Sequence, residues 1–182
     1  MRLSRRIFPT RLWDAKRKAN RICVRPAMFL LNLLPWWGQN VRTKTLEERL
    51  GKIPIFQTLG LRIEAVRKGS ATLIAPYDPR YNGIFQSFHG GLLTTLADTA
   101  ACVAVLASAG ADAEITTTDM NIRFLEPCRS DCTAKATIIK FGKTLCPVSV
   151  TLSNTNGTQV ALAQVTYMRL GNVRPQISEE PS

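Results

Sequence analysis

The chain has 182 residues, enough for one domain with a buried core plus a short extension. Its 45% hydrophobic and 20% charged side chains are those of an ordinary globular protein, which excludes wholesale disorder. A net charge of +11 would suit a nucleic-acid binder, but residues 1–44 hold eleven Lys or Arg against one acid, Asp14, so the remainder is near neutral. No recognition motif accompanies that charge, and no nucleic-acid partner is expected.

From Thr10 the basic arm places Leu12, Ala15, Ala19, Ile22 and Cys23 at helical spacing among Lys and Arg, which predicts an amphipathic helix ending before Pro26. The apolar window 26–37 is interrupted by Pro35 and closes on Trp36 and Trp37. Its 12 residues fall short of the roughly 20 that cross a bilayer. Residues 10–37 therefore predict peripheral contact with an anionic membrane, with packing on the domain or a neighbouring subunit as the other reading. The Arg-rich, acid-poor start also leaves a mitochondrial transit peptide open, beside a cytoplasmic protein with peripheral membrane contact. Five cysteines, an odd number without a CxxC pair, point to reduced thiols and neither a disulfide framework nor a metal site.

Thr45-Leu46-Glu47-Glu48 matches a capping box and predicts a short helix over about 46–50, stopped by Gly51. The stretch IPIFQTLG then reads as a connector. Two strands follow, about 61–66 and 71–75, turning at Lys68-Gly69-Ser70.

The run from Tyr81 to Ser108, YNGIFQSFHGGLLTTLADTAACVAVLAS, concentrates the candidate chemistry. The only histidine, His89, precedes Gly90 and Gly91, which open a long alanine-rich helix. The first N–H groups of a helix lack internal partners and carry the positive end of its dipole, so these glycines can present an oxyanion site. Asp98, eight residues after Gly90, is an acid among Leu96, Ala97, Ala100 and Ala101 and is expected to be buried. Thr94 and Thr95, four and three residues back, are its expected hydrogen-bond partners.

After a break at Gly110-Ala111-Asp112, four strand-like runs are predicted at about 115–124, 132–140, 145–154 and 160–170. They are separated by Glu126-Pro127, Phe141-Gly142-Lys143 and Asn156-Gly157. The sequon Asn156-Gly157-Thr158 is explained as a turn. Two strands, one long helix and four strands predict an α+β architecture in which an antiparallel sheet curls round the central helix. The expected organisation is a basic extension over 1–44, the domain over 45–172 and a loose tail over 173–182.

Asn82, the HGG triplet and LADTA, with the acid eight residues after the first Gly, resemble the hotdog-fold acyl-CoA thioesterases of the phenylacetyl-CoA type. Thr117 to Ile122, Phe141 to Leu145 and Arg169 to Asn172 are similar to the thioesterase superfamily member 2 group. The resemblance implies a hotdog fold, protomers paired with sites at their interface as dimers or tetramers, and hydrolysis of acyl-CoA to free acid and CoA. No cofactor is implied, coenzyme A being part of the substrate. It assigns the oxyanion site to Gly90 and Gly91, loop or carbonyl positioning to His89, the general base or nucleophile to Asp98 of the opposite subunit, and water positioning to Thr117. Asn82 belongs to the same set, but six residues separate it from HGG where the family usually has five, so Gln86 could take its place. Phe85, Phe88, Leu92 and Leu93 are expected to line the acyl pocket, and Lys140, Lys143 and Arg129 to meet the CoA phosphates. Two other readings stay open: a hotdog hydratase or dehydratase using His89 and Asp98, and a module that binds acyl-CoA or a partner without turnover. The chain contains no GxSxG, so a serine triad is not expected.

Overall fold

A computed structural model describes residues 43–171. The amphipathic arm, its membrane, packing or targeting roles, Cys23 and the 173–182 tail lie outside the described residues. The first helix, α1 (Thr43–Leu50), begins two residues before the predicted capping box and stops at Gly51 as expected. The segment read as a connector contains a one-turn helix, α2 (Pro54–Thr58), with Pro54 in its first turn and Phe56 buried. Proline is pre-shaped for that position. Gly60, at φ +60°, closes the turn by the paired bonds Leu61 N–H to Phe56 C=O (3.0 Å) and Gly60 N–H to Gln57 C=O (3.0 Å).

Strands β1 (Arg62–Arg67) and β2 (Ser70–Ala75) form the predicted hairpin. The long helix α3 (Gly90–Ala109) follows, and then β3 (Ile115–Phe124), β4 (Cys132–Ile138), β5 (Leu145–Asn154) and β6 (Gln159–Arg169). The six strands make one antiparallel sheet in the order β1-β2-β4-β5-β6-β3. Its concave face wraps α3, which is the hotdog arrangement.

The helix is apolar nearly all round because the sheet covers it. Leu96, Ala97, Ala100, Ala101, Val103, Ala104 and Val105 are fully buried. They meet the inward alternation of β4, β5 and β6, including Ala134, Val148, Val150, Leu152 and Val165. Short alanine side chains let the strands come close to the helix axis. The two edge strands are less covered. Along β3 only Ile115, Met120 and Ile122 are half-buried, and its outer edge has no strand beside it among the described residues.

Candidate active site

Two regions of α3 hold the candidate residues, at its N-terminus and two turns along. The approach to the N-terminus is a short 3-10 turn (Pro79–Tyr81) and a tight hairpin. In that hairpin Asn82 bridges Phe88, His89 N–H donates to Tyr81 C=O (3.1 Å) and Gly83 N–H to Ser87 C=O (2.8 Å). Gln86 sits at φ 53° in the turn. The hairpin takes up the additional loop residue at its tip, where Ile84 and Phe85 are exposed, so Asn82 remains beside Phe88 and His89. Its Nδ2 donates to Tyr77 Oη (2.8 Å), while its buried Oδ1 has no partner among the described residues. Gln86 Oε1 stands at 3.5 Å from Asn82 Nδ2, and neither side chain is on the lining of the apolar groove.

His89 is the N-cap of α3, and its Nδ1 accepts the Gly91 N–H at 3.0 Å. That bond puts the proton of the neutral ring on Nε2. It also corrects the expected pair of oxyanion donors, because the Gly91 N–H is already engaged. The Leu92 and Leu93 N–H groups turn to His89 C=O, leaving Gly90 as the first-turn amide without a partner among the described residues. A Cβ at Gly90 would stand 3.1 Å from Phe124 Cζ. Glycine therefore keeps this amide approachable beside the ring.

Gly90 lines a groove of about 510 Å³, within the range of small-molecule sites. Phe85, Phe88, Leu93, Phe124 and Leu125 make it apolar, with Arg129 also on its lining. Phe88 is held edge-on against Tyr77, ring centroids 5.8 Å apart. Leu92, expected in the acyl pocket, packs against the core instead, since the helix turns it away. Lys143 lines a different groove with Asp112, Glu114 and Arg169, and Lys140 is exposed past the end of β4, so neither joins Arg129 within one chain.

Cys128 also lines the groove, its Sγ donating to Ser130 C=O at 3.3 Å; the adjacent Cys132 thiol draws its pKa down while its own is pushed up. The four described cysteines are free thiols. No group of three or more His, Cys, Asp or Glu is placed to hold a metal ion among the described residues.

Asp98 is half-buried, more open than its alanine neighbours suggested. Its partners also differ from those expected. Thr94 and Thr95 donate back to the helix carbonyls of Gly90 (2.9 Å) and Gly91 (3.0 Å). The carboxylate is instead met from the sheet, with Thr117 Oγ1 donating to Oδ1 at 2.9 Å and Tyr167 Oη at 2.8 Å. Asp98 Oδ2 has no partner among the described residues. Sequence reasoning named Thr117 and missed Tyr167. The available signal was a tyrosine at an inward position of a buried strand, whose hydroxyl must find a partner.

A helix rises 1.5 Å per residue, so eight residues put Gly90 and Asp98 about 12 Å apart along one helix.

The model of the domain of unknown function DUF4442 matches residues 44–168. A Halobacterium salinarum protein provisionally named an esterase is 32% identical over 92 residues, 48% of this chain and 61% of that protein. The aligned region thus spans less than two thirds of that relative. Among solved structures, the Escherichia coli PaaI protein from the phenylacetic acid degradation operon superposes with a TM-score of 0.66 at 25% identity, covering 70% of this chain and 92% of the other. A Pseudomonas aeruginosa thioesterase, solved as a point mutant, gives 0.66 at 26% identity over 74% and 97%. A Haemophilus influenzae thioesterase gives 0.69 at 21% identity over 78% and 99%, a likeness of fold.

Proposed function

Because this chain belongs to the DUF4442 family and has the hotdog fold of the thioesterase superfamily, we propose that it hydrolyses acyl-CoA thioesters to free acid and CoA. The observation that carries the reading is the pairing of an unpartnered Gly90 amide at an apolar groove with a carboxylate held by two hydroxyl donors. The groove takes the acyl chain, and the Gly90 N–H, at the positive end of α3, polarises the thioester carbonyl. The outward Nε2–H of His89 is a second donor for that loop or carbonyl. Asp98 takes a proton from water as the water oxygen bonds to the carbonyl carbon. The C–S bond then breaks, the electron pair leaves on the CoA sulfur, and the proton held by Asp98 returns to the thiolate. Direct attack by Asp98 through an anhydride is the alternative course for the same residue.

The hotdog resemblance implies sites at a protomer interface, and the spacing of about 12 Å along one helix favours two copies building each site, Gly90 of one chain facing Asp98 of the other. The uncovered β3 edge supplies a seam for such a pair. Arg129, on the Gly90 side, and Lys143, on the Glu114 side, would then converge from different subunits on the CoA phosphates.

Free thiol should appear when the purified protein meets acetyl-, hexanoyl-, palmitoyl- or phenylacetyl-CoA. No release from any of them would favour a non-catalytic acyl-CoA module. A changed enoyl spectrum without thiol would favour a hydratase. The shared site has its own test. Gly90→Val, which presses on Phe124, and Asp98→Asn should each be inactive, whereas refolding the two together should restore about a quarter of native activity. Half the random dimers are hybrids, and each hybrid regains one of two sites. A mixture no more active than its components would put both groups in one chain's site.

A further inference from the structure

Tyr167 on β6 stands directly opposite Thr117 on β3, and the ladder shifts register immediately afterwards, Asp119 pairing with Thr166. The bulged Thr118 sends its hydroxyl to Thr166 C=O at 3.1 Å. Bulges re-aim neighbouring side chains, and this one leaves Thr117 and Tyr167 side by side, both directed at α3. Their hydroxyls donate to the same oxygen, Oδ1 of Asp98, at 2.9 and 2.8 Å, the Tyr167 hydroxyl standing farther, at 3.2 Å, from the Asp98 main-chain carbonyl.

We propose that Tyr167 is a positioning residue for thioester hydrolysis: with Thr117 it clamps Oδ1 of Asp98, so that Oδ2 alone faces the reacting water. The inference rests on the thioesterase reading of the site. An aspartate on an open helix flank can swing about two side-chain bonds. Two donors on one oxygen fix its carboxylate plane and leave the other oxygen's lone pairs outward. The tyrosine is suited to this by its surroundings. Its ring is buried beneath α3, and burial holds the phenol protonated far above its ordinary range, so at neutral pH it donates and does not compete as a base. The neighbouring Cys102 thiol, one turn beyond Asp98, is pushed up to about 11 by burial and is likewise neutral. Neither group therefore adds a charge beside the carboxylate.

A purely structural role would have the hydroxyl only satisfy a buried polar group, and the two roles separate in kinetics. Tyr167→Phe keeps the ring and removes the donor. On whichever of the four esters the native protein cleaves fastest, kcat should fall roughly tenfold with KM within about twofold. In an Asp98→Asn background the same change should cost nothing further, because the group it positions has already lost its function. Native kcat in Tyr167→Phe overturns the proposal, as does an equal loss in both backgrounds. If Tyr167→Phe fails to melt cooperatively, Thr117→Val removes the other donor and must give the same kcat loss and the same absence of effect beside Asp98→Asn. A native protein that releases no thiol removes the thioesterase reading and this inference together. An active native protein that needs Asp98 but is indifferent to Tyr167→Phe removes the inference alone.

Discussion

Replacing Asp98 by asparagine is expected to lower kcat for thiol release by about a hundredfold or more, with KM within about threefold. Asparagine has nearly the same shape, and its carbonyl oxygen can still accept from Thr117 and Tyr167, so the fold and the clamp persist. What disappears is the capacity to take a proton or to attack as an anion. The comparison needs the melting temperature of both proteins, so that a loss of activity is read at equal folded fraction. Equal kcat in the two proteins would make Asp98 a structural acid and move the reaction elsewhere.

Leu96→Ala is expected to cost about 3 kcal/mol of unfolding free energy, the usual scale for emptying a leucine-sized space in a packed core. Leu96 is fully buried on α3, where the sheet wraps the helix. Neighbouring alanines cannot extend into the hole, and the strands are held apart by their own ladder bonds, so the cavity stays open. Urea denaturation of the variant should show a lower midpoint with an unchanged slope. A loss below about 1 kcal/mol would mean that the sheet collapses onto the helix, or that Leu96 is not enclosed. Leu93, which lines the groove as well as the core, would mix stability with substrate binding and is the poorer probe.

The boundaries of the later strands were legible because runs rich in Val, Ile, Thr and Leu are separated by turn residues. Ile115–Phe124 and Leu145–Asn154 stand where that pattern placed them. The helix from Gly90 to Ala109 was equally plain, since a glycine pair after a histidine cap leads into an uninterrupted apolar run. The one-turn α2 was missed because five residues carry too little periodicity. Its markers were Pro54 and Gly60, a start and a stop with almost nothing between.

The residue types at the site belong to the chain order: His89 before two glycines, an acid eight residues on, and a threonine in the next strand. Their partners do not. That the Gly91 amide is spent on His89 depends on the ring rotamer of the cap, and that Leu93 rather than Leu92 faces the groove depends on how α3 is rotated in the sheet. Thr94 and Thr95 were one turn from Asp98 yet bond backwards to their own helix, while Tyr167, 69 residues away, reaches the carboxylate across the fold. The sequence by itself determined the longer elements, the order of strands and helix along the chain, and the position of the candidate acid, because local periodicity and capping are properties of neighbouring residues. Only the tertiary structure decided which oxygen of Asp98 is held and by what, because a cross-strand register and a bulge at Thr118 bring Thr117 and Tyr167 to one point, and no local spacing encodes that meeting.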